Sequence, residues 1–562
     1  MLRLIKLFII LISITGFCQE QNPVLRGIIV QQKDNVNVNP DLYYTHPVKA
    51  FPTAQGGGSE ATGGRGLTLG RVTSTSTGVT GSFNAVRACY EGSLRYLLEE
   101  ANVGPIIFAV SGKWNVSEFT FYYDNNDNIR NKFIVGSTAP RPGVIIYGGR
   151  WRFVENSAGN FIMRGITHLY GTTAVFRTHS GIGFSEAIDG PVIYSDCTTG
   201  WAWDQAADIS GKKVTKQRVL HIECGDGHNT GGIIGENTST VNRDADSRGR
   251  LVSSHHNLYS LISHRFDNAA GEDEGRVDII NNVAYNYQSR MVRINCDPNL
   301  NHINNMYMRG PNSPSSLGNN INKWSPYKDG NCSNCSDPSC DGVNRWCTNE
   351  FCDLDPKIYT AGNIVSGLFT NPLASNKPLW QVYLSANGFV QYDPLPDSMF
   401  ATTMHDLGYN PITIDTANEA KIDLVDNENV GARYYASSTG EPIKYFPDFI
   451  HGYIEDAQNG TTLARRSAPG SDDISGYVVP TLDSATSAYT DSDFDGMPDA
   501  WETTHGLNPN DRTDALITTS KVFNFGTLDK PYLKPEGMEN REVYFAYIHG
   551  DYNQNMTKYY NQ

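Results

Sequence analysis

Short runs in which apolar and polar residues alternate recur through the middle of the chain, and each run closes on Cys or Asn. The runs are VIYSDC to Cys197, VLHIEC to Cys224, VSSHHN to Asn257, VDIINN to Asn282 and NHINN to Asn305. Their ends lie about 20 to 35 residues apart, a period typical of solenoids. Because no amphipathic helix separates them, the pattern predicts an all-β chain folded as a parallel β-helix. A generic β-sandwich with chance Asn pairs is the alternative.

The recurring Asn has a physical reason in such a fold. Asn tolerates the left-handed backbone of a tight turn, and its amide can bond along a stack of coils. Within VSSHHN, His255 and His256 alternate between the two faces of a strand. At least one of these histidines is therefore expected to be a structural member of the stack.

One amphipathic helix is predicted ahead of the repeats, in the segment EGSLRYLLEEA at residues 91–101. Leu94, Leu97 and Leu98 fall on one face at helical spacing. The open edge of a β-helix needs a cover. This helix is expected to plug the end of the coil.

Shifts in composition divide the chain into segments. The first has basic residues and an apolar run too short to span a bilayer, which predicts a signal peptide and a secreted protein. A lipid anchor at Cys18 is the alternative, and no membrane span and a monomer are expected. The predicted segments are a signal peptide at 1–18, a linker at 19–44, the β-helix at 45–435 with a cysteine-rich insert at 330–353, an irregular linker at 436–485 and a C-terminal module at 486–562.

Cysteines cluster in the insert, and an exported chain can oxidise them. A loop closed by disulfide bonds is expected there, with zinc binding as the alternative. The residues are Cys332, Cys335, Cys340, Cys347 and Cys352, with Cys296 as a further partner. Cys197 and Cys224 end successive runs, so they are expected to stack within bonding distance, as a disulfide or as a reduced buried pair.

The net charge of −15 opposes binding to nucleic acid, because phosphate recognition needs a basic surface. An anionic glycan would be repelled too, unless a local basic cleft or a bound cation lay between the two. A cation is therefore part of the expectation for any anionic substrate.

A series of motifs resembles the pectate lyases, a family of secreted polysaccharide lyases. The series runs from AFPTAQGGG through TGGRG, GSLR, GSTAPRPGV, IYSDCTTGWAWDQAADIS, TGGIIG and SHHNLYSLISHR to VDIINNVAYNY. The resemblance covers about residues 48–310 and 485–512. It implies a right-handed single-stranded parallel β-helix with a small C-terminal calcium-binding loop module, an anionic polysaccharide substrate and calcium-assisted β-elimination.

In β-elimination, a base removes the proton beside a sugar carboxylate and the 4-linked sugar leaves. Negative charge builds on the carboxylate, and a cation or basic side chains can stabilise it. The resemblance implies calcium at Asp204 and Asp208, two acids four residues apart, and at Asp196. The alternative is that these aspartates cap turns. An additional upstream acid typical of the family is absent from FRTHSGIGF.

The resemblance implies that Arg265 is the proton acceptor. Arginine ordinarily stays charged at neutral pH, so a second interpretation is that Arg265 binds the substrate while another group takes the proton. A surface ion pair with the acidic run at 272–274 is a third. Lys212, Lys213 and His228 are the expected substrate-binding residues of the same surface.

The chain departs from the family just after Arg265. The family has a proline two residues after this arginine, and the chain has Asp267 there. The second arginine that the family carries shortly after the proline is missing, and Asn268 follows Asp267. Negative charge in the cleft would weaken the binding of a polyuronate. This predicts either a differently charged uronate polymer or impaired catalysis.

A twelve-residue stretch near the C-terminus has the spacing of an EF-hand calcium loop, with acids at positions 1, 3, 5, 9 and 12 and Gly at 6. The expected ligands of this structural site are Asp491, Asp493, Asp495, Met497 through its carbonyl, Asp499 and Glu502. An acidic linker is the alternative.

Three functions remain open at this point. The favoured one is a secreted, calcium-dependent polysaccharide lyase acting on pectate or a related uronate polymer. The second is a non-catalytic glycan-binding β-helix, which the departures after Arg265 favour. The third is a glycoside hydrolase on the same fold, for which Asp196, Asp204 and Asp208 would supply the carboxylates.

Overall fold

Three long sheets, built from strands that return at regular intervals, form the body of the protein. The computed structural model describes residues 48–116, 129–149, 151–154, 159–171, 182–185, 190–203, 205–209, 213–225, 229–234, 251–271, 275–296, 298–315, 322–325, 356–385, 389–392, 395, 397–408, 410–468, 474–528 and 531–559. The described residues from Val48 onwards belong to one compact unit.

The strands of the first coils are β1 Thr68–Ser74, β2 Gly81–Asn84, β3 Cys89–Ser93, β4 Val103–Phe108, β5 Gly112–Asn115, β6 Lys132–Val135, β7 Val144–Tyr147, β8 Trp151–Val154, β9 Phe161–Arg164, β10 Ile166–Leu169 and β11 Ile182–Ser185. Those of the central coils are β12 Pro191–Ser195, β13 Thr198–Gly200, β14 Gln205–Ile209, β15 Lys213–Gln217, β16 Leu220–Ile222, β17 Thr230–Ile234, β18 Leu251–His255, β19 Leu258–Ser260, β20 Asn268–Gly271, β21 Arg276–Ile280, β22 Val283–Tyr285 and β23 Arg293–Cys296. The last are β24 Asn299–Ile303, β25 Met306–Met308, β26 Asn322–Ser325, β27 Lys357–Ala361, β28 Ile364–Val365, β29 Trp380–Ser385, β30 Phe389–Tyr392, β31 Tyr434–Ala436, β32 Pro442–Lys444, β33 Lys521–Phe523 and β34 Tyr532–Lys534.

Helices are short and lie outside the repeats. They are α1 Leu94–Glu99, α2 Ala417–Lys421, α3 Asp448–Asn459, α4 Asp499–Thr504 and α5 Asn540–Ile548. A π-helical turn at Ile422–Asp426 continues α2, and short 3-10 turns occur at Gly136–Thr138, Lys377–Leu379, Asp397–Met399, Asp514–Leu516 and Thr557–Tyr559.

From β6 to β29 each coil contributes one strand to each of three sheets, which is the architecture of a parallel β-helix. Within the described chain, sheet A has the order β2-β3-β1-β4-β6-β9-β12-β15-β18-β21-β24-β27. Sheet B has the order β28-β25-β22-β19-β16-β13-β10-β7-β5, and sheet C the order β30-β29-β26-β23-β20-β17-β14-β11-β8. Neighbours in these sheets are parallel except for β2–β3 and β29–β30. The predicted β-helix is confirmed.

Aliphatic side chains stacked in register hold the coils together. In sheet A one buried position is occupied in successive coils by Val192, Val214, Val252, Val277, Leu300 and Ile358. Each side chain buries its apolar surface against the same position one coil away, about 4.8 Å distant. The period of the sequence pattern is therefore the period of this stack.

The recurring asparagines form a buried ladder at the turn between sheets A and B. The side-chain nitrogen of Asn257 donates to the side-chain oxygen of Asn282 at 2.9 Å, and the side-chain nitrogen of Asn282 donates to the side-chain oxygen of Asn305 at 3.1 Å. The ladder continues from Asn305 to Asn363 at 2.8 Å and from Asn363 to Asn376 at 3.0 Å. Each side-chain amide is hydrogen-bonded to the next one, so these polar groups keep their hydrogen bonds although they are buried. The predicted bonding of these amides along the stack is confirmed, whereas the left-handed backbone lies one residue earlier, at His256, Asn281 and Asn304.

One rung of the predicted repeat was out of register. The run ending at Cys224 is not a rung of the ladder, because Leu220 pairs with Leu258 and places Val219 beside Asn257. The rung is VTKQRV, which ends at Val219 and contains most of β15. Cys197 and Cys224 therefore do not occupy equivalent positions, and both are buried free thiols. The predicted stacking of these two cysteines was wrong, whereas Cys332, Cys335, Cys340, Cys347 and Cys352 of the insert lie outside the described residues.

The glycine-rich segment near the N-terminus lies across the outer face of sheet A. The amide of Gly57 donates to Ser253 Oγ at 3.2 Å, and that of Gly58 donates to Thr215 Oγ1 at 2.8 Å. A Cβ atom at Gly57 would come within 2.1 Å of a backbone oxygen of β18, and one at Gly58 within 2.0 Å of one in β12. Only glycine permits this close approach, which explains the GGG motif.

The predicted helix at the start of the coil is confirmed as α1. Ser93 caps it by accepting a hydrogen bond from the amide of Tyr96 at 3.1 Å. Leu94, Leu97 and Leu98 are buried in the same apolar cluster as the interior of the coils. The helix therefore plugs the first coil, as its apolar face predicted.

The C-terminal third packs against the coils instead of trailing from them. Helix α3 lies within the segment 436–485 that was predicted as an irregular linker, and its buried face joins the apolar cluster outside sheet B. Residues of α4 and α5 pack with Phe51, Leu69 and Phe133 at the first coils. The predicted C-terminal module at 486–562 thus packs on the outer face of sheet A at the first coils.

Candidate functional site

Arg265 lies in the irregular turn that carries the chain from β19 to β20. His264 forms a parallel bridge with Thr230, and the carbonyl oxygen of Arg265 accepts a hydrogen bond from the amide of Gly232 at 2.9 Å. The amide of Phe266 donates to the carbonyl of Met291 at 3.0 Å. The turn is thus held by the coil before it and the coil after it.

The backbone of Arg265 is in the left-handed region, with φ of +58°, and Asp267 follows at +62°. Residues other than glycine rarely adopt this conformation, which costs about 1 kcal/mol or more and persists only where the surroundings impose it. Such residues cluster at functional sites. The surrounding fold therefore holds the backbone of the half-buried Arg265 in this left-handed conformation.

Gly231 is part of this imposed geometry. A Cβ atom there would lie 2.7 Å from the carbonyl oxygen of Arg265 and 2.8 Å from the ring of Tyr259. The glycine of the TGGIIG motif thus makes room for the Arg265 turn. The motif was recognised in the sequence, but this role of its glycine was not predicted.

The structure corrects the expectation that Asp267 adds negative charge to the cleft. Asp267 is fully buried inside the coil, where it forms an ion pair with Lys216 and accepts hydrogen bonds from the hydroxyls of Ser254 and Tyr259. Burial lowers the pKa of Lys216, and the charge of Asp267 works against that effect. Because Asp267 is buried and paired, it adds no net negative charge to the surface that carries Arg265.

Asp208 lies on β14, on the same sheet as the strand that follows Arg265. The register runs from Asp208 to Ile233 and on to Asn268. The half-exposed Asp208 accepts a hydrogen bond from the amide of Ile233 at 3.1 Å through Oδ1. Strand spacings of ~4.8 Å and ~3.3 Å per residue put the backbones of Asp208 and Arg265 roughly 12 Å apart. The two residues therefore flank one surface of sheet C.

Asp196 does not belong to that surface, contrary to expectation. Its Oδ2 accepts from Nη2 of Arg164 at 2.6 Å, and its Oδ1 accepts from Nη1 of Arg433 at 2.7 Å. Arg164 also pairs with Asp551 at 2.7 Å. Burial raises the pKa of Asp196, but the two arginines outweigh it and hold the pKa well below its usual range. Both oxygens are occupied by arginines, so this carboxylate is a structural ion-pair partner and not a calcium ligand.

Of the basic residues expected to bind substrate, the structure describes Lys213. It is exposed and its ammonium group lies 3.3 Å from Glu60, in the segment that covers sheet A. This position separates it from the surface shared by Asp208 and Arg265. Lys212, His228 and the expected calcium ligand Asp204 lie outside the described residues.

The two histidines of VSSHHN are buried, as a structural role requires. Nδ1 of His255 and Nδ1 of His256 are 3.0 Å apart, and Nε2 of His256 is 3.2 Å from Asp415. Burial lowers the pKa of both rings. They belong to the stack and its contact with the C-terminal segment.

The acidic loop at 491–502 folds around its first aspartate. Asp491 accepts hydrogen bonds from the amides of Phe494 at 2.7 Å, Asp495 at 3.2 Å and Gly496 at 3.1 Å. Gly496 has φ of +102°, the sharp turn for which an EF-hand loop uses glycine at position 6. The carboxylates of Asp491, Asp493 and Asp495 offer oxygens within 4.8 Å of one another.

Several carboxylate oxygens in this loop are buried without a hydrogen bond. Both oxygens of Asp493 and of Glu502 and one oxygen of Asp495 are buried without a hydrogen-bond partner. Burial and the neighbouring carboxylates raise the pKa of Asp491 to about 7, of Glu502 to about 8 and of Asp495 to about 10. Buried oxygens of this kind fit a calcium ion, which takes six to eight oxygen ligands.

One expected ligand of the loop is engaged elsewhere. The carboxylate of Asp499 accepts hydrogen bonds from the amide of Ser492 at 2.7 Å and from its hydroxyl at 2.6 Å. Asp514, which no local spacing had singled out, has a carboxylate oxygen within 4.8 Å of Asp495 and Glu502. Met497 is buried beside them and its amide donates to Asp495 Oδ1 at 2.8 Å.

No helix in the described part of the chain combines the length and apolar character that crossing a bilayer requires. The predicted signal peptide at 1–18, Cys18 and the linker at 19–44 lie outside the described residues.

Comparison with known proteins gives relatives of one kind. No family model matches the chain. A probable pectate lyase C of Emericella nidulans is 24% identical over 515 residues, which cover 88% of this chain and 94% of that protein. A probable pectate lyase C of Aspergillus terreus is 25% identical over 487 residues, covering 85% and 92%. Among solved structures, Jun a 1, the major allergen of cedar pollen, covers 67% of this chain and 92% of its own, with a TM-score of 0.43 and 15% identity. Because the relatives extend over most of the chain, the similarity of this protein to the pectate lyases, which its motifs indicated, is confirmed.

Proposed function

We propose that this protein is a secreted polysaccharide lyase that cleaves pectate or a related uronate polymer by β-elimination. The observation that carries the proposal is the position of Arg265, held in a left-handed turn on the surface of sheet C that also presents Asp208. The relatives named pectate lyase support the reaction class. The apolar run at the start of the chain supports export.

Arg265 supplies the positive charge at this surface. As negative charge builds on the sugar carboxylate, a guanidinium group can bind that carboxylate with two parallel hydrogen bonds. The ion pair of Lys216 with Asp267 removes the negative charge that would otherwise repel the substrate beneath it. Arg265 therefore adds positive charge to this surface, and Lys216 neutralises the buried carboxylate of Asp267 beneath it.

Calcium enters the proposal at two places. Asp208, with Asp204 as the neighbouring candidate in the sequence, would hold a cleft ion, and its half-exposed carboxylate is accessible to one. An ion bound there would offset charge on the substrate carboxylate. The loop at 491–502 would hold a structural ion, because its buried oxygens fit one.

The test is an elimination assay on the full chain. Polygalacturonate, alginate and ulvan are each incubated with the protein, with calcium or with chelator, and the ultraviolet absorbance of the unsaturated product is followed. We expect product from at least one uronate polymer. New reducing ends without absorbance would indicate hydrolysis, and binding without either would indicate a glycan-binding protein.

Arg265→Ala identifies the residue responsible. We expect it to lower the elimination rate at least about 100-fold, the usual scale for a group that acts on the reacting proton or charge. Arg95→Ala is the matched control, because Arg95 lies on helix α1 and pairs there with Glu99 at 2.6 Å. Equal activity of the two variants would show that Arg265 has no part in the reaction.

A further inference from the structure

A carboxylate outside the acidic loop points into it. Asp514 begins a short 3-10 turn and is 9% exposed. Its Oδ2 accepts a hydrogen bond from the amide of Asn508 at 2.8 Å, whereas its Oδ1 is buried without a hydrogen-bond partner. A buried carboxylate oxygen is costly to leave unsatisfied. This oxygen therefore needs a partner that the protein atoms around it do not supply.

The neighbours of that oxygen are other unsatisfied carboxylates. Ligand atoms of Asp495, Glu502 and Asp514 lie within 4.8 Å of one another. Glu502 is fully buried and neither of its oxygens has a hydrogen-bond partner. Among the described residues, no lysine, arginine or histidine forms an ion pair with any of the three. A bound cation would satisfy all of these oxygens at once, because carboxylate oxygens are the ligands that calcium takes.

The ninth position of the loop does not supply a ligand, and Asp514 can supply one in its place. In an EF-hand loop position 9 contributes to the metal, often through water. Here the acid at that position, Asp499, accepts hydrogen bonds from both donors of Ser492, and it belongs to neither group of acids whose oxygens lie within 4.8 Å of one another. The loop thus offers Asp491, Asp493, Asp495, the carbonyl of Met497 and Glu502, and it lacks the ninth position.

We propose that Asp514 is a ligand of the cation bound by the loop at 491–502, in place of Asp499. This inference rests on the proposed calcium loop and adds a ligand that the twelve-residue pattern does not contain. With a bidentate glutamate at position 12, the set reaches seven oxygens, within the range that calcium takes.

The added ligand couples the ion to the rest of the C-terminal region. The carbonyl of Asp514 accepts a hydrogen bond from Asn540 Nδ2 at 2.8 Å, at the first residue of helix α5. The side-chain oxygen of Asn540 in turn accepts from Lys534 at 2.6 Å. Calcium would therefore stabilise both the loop and the segment that leads into α5, which packs at the first coils.

Terbium titration of the full chain tests the proposal, because terbium replaces calcium and Trp501, beside Glu502, can sensitise its luminescence. Calcium affinity is then measured by competition in the wild type, in Asp514→Asn and in Asp511→Asn. Asp511 is the matched control, since it is exposed in the same segment and its Oδ1 bonds only Thr513. We expect Asp514→Asn to weaken calcium binding about tenfold or more, and Asp511→Asn to change it less than about threefold.

Melting temperatures separate loss of a ligand from loss of the fold. In chelator, Asp514→Asn should melt no lower than the wild type, because it removes one of several uncompensated carboxylates. In calcium, its gain in melting temperature should be smaller than that of the wild type. Equal calcium affinity of the two Asn variants would overturn the role of Asp514, whereas a wild type that binds neither terbium nor calcium would overturn the calcium loop itself.

Discussion

The ammonium group of Lys216 and the carboxylate of Asp267 form an ion pair inside the coil, next to the turn that carries Arg265. Proline could not take the place of Asp267 in this backbone, because its ring fixes φ near −65° and the residue here is at +62°. The ion pair thus holds a turn that a proline would shape differently. The departure from the family motif is a change in how the turn is anchored.

Asp267→Asn should destabilise the protein by about 3 kcal/mol, because removal of one partner leaves a buried charge without compensation. The amide can still accept from Ser254 and Tyr259, so the shape of the site is kept. Urea unfolding measures the loss. Glu99→Gln, which breaks the surface pair with Arg95, should cost no more than about 0.5 kcal/mol. A loss below about 1 kcal/mol in Asp267→Asn would contradict a charged buried pair.

Gly231→Ala should impair the elimination reaction by displacing the Arg265 turn. The added Cβ would lie 2.7 Å from the carbonyl oxygen of Arg265, a backbone atom that cannot move alone. We expect at least about a tenfold fall in kcat/KM with a stability loss of about 1 to 3 kcal/mol.

Gly526→Ala is the control for this substitution, since no atom lies within 4 Å of the Cβ position there. It should leave both the rate and the unfolding free energy unchanged within error. Full activity in Gly231→Ala would show that the position of Arg265 tolerates a shift, and would weaken its assignment to the reaction.

The fold could be predicted from the sequence because its determinants are local and repeated. Val or Leu at one buried position and Asn at the turn recur in every coil from Asn257 to Asn305. The rung at β15 was missed for a physical reason. Lys216 occupies an interior position there, so the apolar alternation is broken, and its partner Asp267 lies in the next coil, 51 residues later in the sequence. Periodicity alone cannot identify an interior lysine.

The two acidic sites also differ in whether their determinants are local in the sequence. The loop at 491–502 was recognised because its acids follow one another at fixed spacing, while Asp514 comes from a different turn. Asp196 was assigned to a cation on the family resemblance, and its actual partners are distant in the sequence, Arg164 on β9 and Arg433 just before β31. A carboxylate satisfied by remote arginines cannot be told from a metal ligand by local sequence.

Asp196→Asn tests that reassignment. Its removal would leave Arg164 and Arg433 buried with less counter-charge, so we expect a loss of about 3 to 5 kcal/mol in unfolding free energy. The calcium concentration needed for half-maximal activity should stay unchanged, because the residue holds arginines and not the ion. A large rise in that concentration, with stability preserved, would restore Asp196 as a metal ligand.

Buried histidines should make the protein sensitive to mild acid. Burial lowers the pKa of His168 from 6.5 to about 4, and that of His302 and His549 to about 3. Between pH 6.5 and 4 the unfolded chain binds protons that the folded chain excludes. Stability is therefore fully present above pH 6.5 and is lost as the pH falls towards the folded-state pKa.

Each such histidine contributes a slope of about 1.4 kcal/mol per pH unit within this window. His168→Gln should reduce the slope of unfolding free energy against pH by about that amount, and the glutamine amide can still donate to the carbonyl of Gly149, which His168 Nε2 contacts at 3.1 Å. Urea unfolding at several pH values between 4 and 6.5 measures the two slopes. Parallel lines for the variant and the wild type would show that His168 is protonated equally in the folded and unfolded chains, and would place the acid sensitivity elsewhere.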